Sequence, residues 1–336
     1  MLQKMKIFML SAVCIATATH TAYAANKKIR INGFINGIYS VSSTNTKYLS
    51  KIDNQGDWSA NNFGLNLSAQ LDHKLSIAAQ IMGGGSNGNN AVFDWGFGKY
   101  EVSEGIAVKA GKMKYTGTLV SDYVEVGYSY LWVRAPESIY YEKSELTFES
   151  YNGAAVEFMG GDDVEYTVDV YAGEIVGESE TFKKMLGTSV LLVTENAEFK
   201  LGVNQSTVLV SGKPENGRAK TIVTAGAKFN LDNWLIMTEY AANSVEGLSN
   251  LGRYGTYVTL AYKMGKTTPH LTLQKYKMNS GKEQDSITLG VKRQISQSMT
   301  AKFELQQVKP KNGGIFAAQP TQSTVNLINA AVNFVF

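Results

Sequence analysis

The segment Met299–Val308, MTAKFELQQV, decides the fold because apolar and polar side chains alternate along it. One set of alternate positions is apolar and the other is polar, namely Met299, Ala301, Phe303 and Leu305 against Thr300, Lys302, Glu304 and Gln306. A period of two is the pattern of a β-strand whose two faces meet different surroundings. The stretch Ile222–Phe229, IVTAGAKF, repeats this pattern, as does most of the chain beyond residue 25. The sequence therefore predicts an all-β protein.

Turn signals between the alternating runs divide the chain into sixteen predicted strands. These are 28–43, 61–71, 75–82, 91–103, 106–115, 148–159, 163–173, 185–194, 197–210, 219–231, 234–242, 252–264, 270–278, 283–295, 299–308 and 322–336. Every second connection is very short, as at Glu104–Gly105 and Asp232–Asn233. Most of the others are longer, as at Thr44–Ala60 and Thr116–Thr147.

An even number of strands with alternating short and long connections predicts a closed transmembrane antiparallel β-barrel. Lipid satisfies no backbone polar group, so such a sheet must close on itself and turn its apolar face outward. Trp234 and Tyr240, near the two ends of one predicted strand and on the same face, fit the aromatic girdles of such barrels. We expect short periplasmic turns at one end and long extracellular loops at the other.

The N-terminus and the composition support an exported protein. Lys4 and Lys6 precede an apolar run, and Ala22-Tyr23-Ala24 fits a cleavage site, so residues 1–24 are predicted to be a signal peptide and 25–336 the barrel. The only cysteine, Cys14, lies in the predicted signal peptide, so the mature barrel has no disulfide. A formal net charge of +3 argues against nucleic-acid binding. The mean hydropathy of −0.15 reflects strands that are half apolar and half polar.

The connection Thr116–Thr147 is the longest and is rich in tyrosine, with a tryptophan at Trp132. Because long loops in compact proteins are usually functional or disordered, and this one is rich in aromatic residues, we expect it to pack against the inner wall. Its candidate pore charges are Arg134, Glu137, Glu142 and Glu145. The alternative, that these charges only face vestibule water, remains open at this stage.

Alternation also predicts which basic side chains of the strands face the lumen. These candidates are Arg30, Lys112, Lys200, Lys228, Lys292 and Lys302. The loop carries five acidic and two basic side chains, so an acidic loop would face a basic wall. Such an arrangement creates a field across a pore. For each single lysine, a solvated position in the lumen is favoured over a position at the constriction.

The chain resembles the Gram-negative general-diffusion porins. Asn62-Phe63-Gly64-Leu65, then Ser68-Ala69-Gln70-Leu71 and Leu75–Gln80, resemble the first hairpin of that family. The last strand places Phe334 and the terminal Phe336 on its apolar face, which resembles the strand that such barrels present to the assembly machinery. The resemblance implies a homotrimer of sixteen-stranded barrels in the outer membrane, each with a water-filled pore narrowed by the third loop. Pro136-Glu137 resembles the Pro-Glu near the tip of that loop.

The sequence favours passive diffusion of ions and small hydrophilic solutes, with no cofactor and no enzyme activity. A substrate-selective channel for sugars or small anions remains an alternative, and a barrel hydrolase is less favoured. A hydrolase needs a histidine beside its partner, and the mature chain has only His73 and His270, both expected in or beside short turns in water. With no cysteine in the mature chain, we expect no thiol nucleophile and no Cys/His metal site.

Overall fold

A computed structural model describes residues 29–85, 88, 90–141, 145–177 and 180–336, so the predicted signal peptide lies outside the described residues. The sixteen strands are β1 Ile29–Ser42, β2 Asn62–Gln70, β3 Leu75–Gly84, β4 Ala91–Ser103, β5 Ile106–Lys114, β6 Ser150–Gly160, β7 Glu165–Val176, β8 Thr181–Val193, β9 Ala197–Leu209, β10 Ala219–Leu231, β11 Trp234–Val245, β12 Arg253–Tyr262, β13 Thr267–Met278, β14 Glu283–Ser296, β15 Met299–Lys311 and β16 Val325–Val335. All sixteen predicted strands are confirmed.

The strands form one closed antiparallel barrel in which each strand pairs with its sequence neighbours. Closure joins β1 to β16, with Phe34 opposite Val335 and Ser42 opposite Leu327. A closed barrel leaves no free edge, so the ladder can satisfy the backbone groups of the spanning strands. The predicted fold class, a sixteen-stranded antiparallel barrel, is therefore confirmed.

Several strands extend further toward the long-loop end than predicted. β8 begins at Thr181 instead of residue 185, and β15 continues to Lys311 instead of ending at residue 308. Lys183 on this extension of β8 is ion-paired with Glu174 on β7, which belongs to the predicted loop 174–184. The polar side chains of these segments predict loops. Strands that extend beyond the apolar belt of a barrel can, however, carry charged residues.

The barrel is apolar on its outer face and polar on its inner face, the reverse of a soluble protein. On β9, the outward Leu201 is 57% exposed, whereas the adjacent inward Lys200 is only 5% exposed. The predicted aromatic positions Trp234 and Tyr240 also face outward, 46% and 45% exposed. Trp234 packs against Tyr262 of the next strand with ring centroids 4.8 Å apart. An apolar outer surface around a polar interior is the surface that a bilayer requires.

The connection between β5 and β6, residues 115–149, folds into the barrel, and we call it the third loop. It contains the short helix α1, Glu137–Tyr140, and the 3-10 turns Ser121–Tyr123 and Gly127–Ser129. Val120, Val133 and Ile139 are fully buried, which a loop outside the barrel could not achieve. Among the described residues, no helix is both long and apolar enough to cross a membrane.

An apolar cluster fills the lumen on the side of β11–β16, and we call it the luminal cluster. It joins Tyr48 and Ile52 of the first loop, Phe316 of the last loop and a large part of the third loop to the inner wall. The wall members include Met237 and Tyr257. Because burial of apolar surface stabilises these contacts, the three loops form part of the folded core.

Candidate functional site: a lumen divided by the third loop

The third loop is fastened to the barrel wall at Trp132 and Val133. The indole Nε1 of Trp132 donates hydrogen bonds to Thr272 Oγ1 at 2.8 Å and Thr259 Oγ1 at 3.2 Å. The backbone N–H of Val133 donates to the Glu304 carboxylate at 2.8 Å. The sequence predicted an inward loop but not these partners, which lie more than 120 residues away.

Arg134 and Glu137, the leading constriction candidates, bind the wall. Arg134 donates to Ser40 Oγ at 2.6 Å and to Asn329 Oδ1 at 2.7 Å. The Glu137 carboxylate accepts a hydrogen bond from Gln274 at 3.0 Å and is only 6% exposed. Both residues border the cavity on the long-loop side of the third loop. Their contacts identify them chiefly as anchors of the loop.

The other loop candidates are spread along the same segment. Pro136 precedes α1, where its carbonyl accepts hydrogen bonds from the backbone N–H groups of Ile139 and Tyr140. Glu145 forms ion pairs with Lys220 and with Arg253, the latter at 3.0 Å. These contacts hold the returning limb of the loop against the wall. Glu142 lies outside the described residues.

Two predicted wall lysines face inward and bind carbonyl oxygens of the third loop. Lys302 donates to Gly127 O and to Trp132 O at 2.6 Å, and its ammonium lies 4.3 Å from the ring centroid of Tyr130. Lys292 donates to Tyr128 O at 2.6 Å. Both ammonium groups are therefore occupied in holding the loop.

Of the other predicted wall lysines, Lys228 faces the lumen but Lys112 does not. Lys228 is ion-paired with Glu198 at 2.6 Å near the short-turn end. The prediction that Lys112 faces the lumen is wrong. Lys112 lies opposite Gly96 of β4. Gly96 stands between two residues that line the lumen and therefore faces outward, so Lys112 faces outward as well. The Lys112 ammonium donates a hydrogen bond to Phe93 O at 2.9 Å. Lys109, three residues earlier on β5, faces the lumen instead.

A cavity of about 470 Å³ lies on the short-turn side of the third loop, and we call it the lower cavity. Arg30 and Lys200 both line it, as predicted from their alternation. A second cavity of about 250 Å³, the upper cavity, lies on the long-loop side. The third loop therefore divides the lumen.

A polar partition separates the two cavities on the side of β1–β5. The Glu125 carboxylate of the third loop, on the upper cavity, is ion-paired with Lys114 on the lower cavity. Lys114 also lies 3.4 Å from Asp94, and Asn36 donates hydrogen bonds to Asn62 Oδ1 at 2.6 Å and Glu125 O at 2.7 Å. These contacts lie in the gap that the luminal cluster leaves.

Sequence reasoning missed this partition, although its parts had signals. Glu125 was counted among the acidic loop residues, and Lys114 stands two positions after the rejected Lys112. A register shift between β3 and β4 adds one residue near Asp94, which turns its carboxylate inward. Strict alternation does not reveal such a bulge, because the extra residue shifts the face of those beyond it.

The carboxylates of Glu125, Asp94 and Glu149 lie within 4.8 Å of one another. Lys114 supplies the nearest positive charge to this group. Burial in the partition raises the pKa of the Glu125 carboxyl to about 7, against the opposing effect of Lys114. This loop residue can therefore change its charge near neutral pH.

His270 was expected in water beside a turn, and this prediction is wrong. The residue belongs to β13 and points inward, and its side chain is fully buried. Its Nε2 lies 3.6 Å from Glu304, and neither ring nitrogen hydrogen-bonds to another described residue. The strand starts at Thr267, three residues before its predicted start at His270, so this histidine lies inside the strand instead of at its end beside the turn. A buried imidazole without a bonded hydroxyl does not form a hydrolytic site that substrate can reach.

Phe334 and Phe336 both face outward at the closing seam. Phe336 exchanges two backbone hydrogen bonds of 3.0 Å with Gly33 of β1. A Cβ at Gly33 would collide with the Phe336 ring, so a glycine at this position makes room for it. Phe334 lies opposite Ile35 and is 39% exposed.

Comparison with solved structures identifies barrels of the same kind. An anion-selective porin from Comamonas acidovorans aligns with a TM-score of 0.64 and 13% identity, covering 93% of this chain and all of that chain. OmpF of Salmonella typhi, solved in complex with daunomycin, aligns with a TM-score of 0.62 and 11% identity over 92% and 98% of the two chains. OprB of Pseudomonas putida gives 0.61 and 10% over 92% and 94%.

No protein-family profile matches the sequence. No curated protein matches it either. At 10–13% identity, the structural neighbours establish a shared fold. The chain has the sixteen-stranded barrel of the Gram-negative outer-membrane porins.

Proposed function

We propose that the protein is an outer-membrane porin that admits ions and small hydrophilic solutes by passive diffusion. The observation that carries the proposal is an apolar outer surface around a polar lumen that the third loop divides. The outer surface fits a bilayer, and the polar partition offers water and small solutes a route that apolar solutes lack. Nothing in this proposal involves a cofactor or a chemical step.

The narrowest part of this route lies at Lys114 and Glu125. The luminal cluster fills the opposite side, so a solute crossing from the upper to the lower cavity must pass this ion pair. A positive and a negative side chain therefore lie side by side at this point. Their electric field orients polar solutes and disfavours large apolar ones. Arg134 and Glu137 contribute by holding the loop across the lumen.

The proposal includes export with cleavage near Ala24 and assembly as a homotrimer in the outer membrane. The outward apolar side chains support the membrane location. The trimer rests on the resemblance to general-diffusion porins. Migration on a detergent gel with and without heating tests both barrel closure and the oligomer.

Planar-bilayer recording tests the proposed channel. We expect ohmic steps in KCl, and a larger unit conductance after deletion of residues 135–141, which removes α1 and its contacts with the wall. Deletion of residues 213–216, in an exposed loop at the rim, is the matched control and leaves the conductance unchanged. Absence of conductance in correctly folded protein would contradict a pore. An unchanged conductance after the first deletion would show that the loop does not narrow it.

A substrate-selective channel is the second candidate, because two cations, Arg30 and Lys200, line the lower cavity together with aromatic side chains. Saturable block of the KCl current by one solute would favour it. A hydrolase has less support, since His270 is inaccessible.

A further inference from the structure

Four lysines stand together on the outer face of the barrel, where β13, β14 and β15 reach the long-loop end. They alternate with buried, inward side chains such as Tyr276 and Val308, so they point away from the lumen. Two carboxylates lie among them. We call this group the lysine patch, and it consists of Lys275, Lys277, Lys309 and Lys311 with Glu283 and Asp285.

The register of the ladder brings these side chains into one small area. Lys277, Glu283 and Lys311 lie opposite one another across the three strands, and the other three members form the next row. Neighbouring strands are about 4.8 Å apart, and alternate residues of one strand are about 7 Å apart. The Cα atoms of the four lysines therefore span an area of about 10 by 7 Å. Lysine side chains of β13 and β15 can thus reach the same small headgroup.

The lysine patch carries more positive than negative charge. Lys275 is ion-paired with Glu283 at 2.8 Å and with Asp285 at 3.3 Å. Both carboxylates share this lysine, and four lysines against two carboxylates leave two positive charges in excess. The outward residues of the flanking strands β12 and β16 are uncharged at this end, and the connection 312–324 has no charged residue. The turn between β13 and β14 adds only the positive charge of Lys282.

An apolar surface begins directly beside the lysine patch, toward the short-turn end. On the same outward face, Leu273 and Ile287 lie opposite each other in the row next to Lys275. Leu289 and Leu305 lie opposite each other in the row beyond. These four side chains are 41–59% exposed. A cluster of lysines beside exposed apolar side chains matches the two parts of an anionic lipid, its headgroup and its acyl chains.

We propose that the lysine patch binds a phosphorylated lipid of the leaflet that surrounds the long-loop end. The phosphate binds the lysine ammonium groups, and the acyl chains lie along the leucine and isoleucine side chains beside the patch. A second copy of this chain fits the patch less well, because interfaces between proteins are depleted of lysine. The inference rests on the proposed function, since the patch meets lipid only when the barrel spans a bilayer.

Native mass spectrometry of the folded protein in a neutral detergent tests the inference, with dioleoyl phosphatidic acid as the probe. Dioleoyl phosphatidylcholine has the same acyl chains without net charge, and inorganic phosphate has the charge without the chains. Each lysine near an anionic lipid surface contributes about fivefold to the affinity. We therefore expect phosphatidic acid to bind at least about tenfold more tightly than phosphatidylcholine. Inorganic phosphate at the same concentration should not displace it.

The test variant keeps Lys275, which holds both carboxylates, and removes the other three lysines of the patch. It is K277Q/K309Q/K311Q. The matched control removes the same charge from exposed lysines in two short turns at the opposite end of the barrel. It is K74Q/K263Q/K266Q. With both variants heat-modifiable on a gel, the first should weaken phosphatidic acid binding by about tenfold or more, and the control should leave the affinity unchanged.

Three results would overturn the inference. One is equal affinity of the wild type for the two lipids, or equal phosphatidic acid affinity in the wild type and the patch variant. Another is displacement of phosphatidic acid by inorganic phosphate, because the patch would then bind a free anion. The third is loss of the oligomer on an unheated gel in the patch variant with unchanged lipid binding, which would identify the patch as a contact between copies.

The two proposals fail in distinguishable ways, because mass spectrometry needs no conduction. A protein that conducts in bilayers but binds both lipids equally contradicts only the inference about the lysine patch. A protein that prefers phosphatidic acid but never conducts contradicts the proposed channel.

Discussion

Replacing Trp132 by alanine should loosen the third loop without damaging the barrel. The side chain is 2% exposed, packs edge-to-face on Tyr257 at 5.5 Å, and donates to two threonine hydroxyls. Truncation of a buried tryptophan typically costs about 3–5 kcal/mol. Here the cost falls on docking of the loop, because Trp132 lies outside the strands. Thr259 and Thr272 are already 2.8 Å apart, so they can satisfy each other after the change.

A loss of about 4 kcal/mol lowers the ratio of docked to undocked loop by roughly a factor of a thousand. Single-channel recording should therefore show a larger, noisier open state in W132A. W132F keeps an aromatic ring but loses the hydrogen bonds and part of the buried ring volume, so its effect should lie between those of wild type and W132A. W58A controls for loss of an exposed tryptophan, since Trp58 is 62% exposed. If folded W132A has the conductance and noise of wild type, the loop is not held by this anchor.

Three further outcomes follow from the charges and the closing seam. Lowering the pH from 8 to 6 should shift the reversal potential in a KCl gradient toward the chloride equilibrium potential. The buried Glu125 carboxyl, with a pKa of about 7, gains a proton over this range and loses its negative charge. E125Q should abolish this shift. K109Q should shift the reversal potential toward cations, because it removes a lumen-facing positive charge and leaves Asp169 without its ion-pair partner, while Lys99 still pairs with Glu157. K112Q, which removes an outward charge, should leave the reversal potential nearly unchanged, and equal shifts would contradict the assigned faces. F336A should lower the heat-modifiable fraction during refolding by weakening the seam at Gly33, and normal assembly yield would show that the terminal ring is dispensable.

The barrel could be predicted from the sequence because its determinants are local. Alternation along a strand and the length of each connection depend only on neighbouring residues, and both follow from the requirement that lipid meets apolar side chains. The inward face of Lys200 could be predicted for the same reason. Lys112 failed because its face depends on the register with Gly96, which is a property of two strands.

The candidate pore charges show where local information ends. Arg134 and Glu137 are polar residues in an inward loop, so facing the pore was the natural expectation. Their partners Ser40, Asn329 and Gln274 lie 94 to 195 residues away, and only the closed barrel brings them together. A charged loop residue that binds a buried partner on the barrel wall therefore holds the loop in place.

The luminal cluster links these observations into one account of the route. The cluster occupies the side of β11–β16, and the loop charges on that side bind the wall and hold the loop in place. The space for water lies on the side of β1–β9. Along that side, Lys99 and Lys109 are neutralised in pairs. On the proposed function, selectivity depends on the charges that border the two cavities, among them Arg30, Lys200, Asp122 and Glu125. In a pore of this kind, substitution of one or two of these side chains would change which solutes pass. The many paired charges and the apolar cluster would keep the shape of the pore.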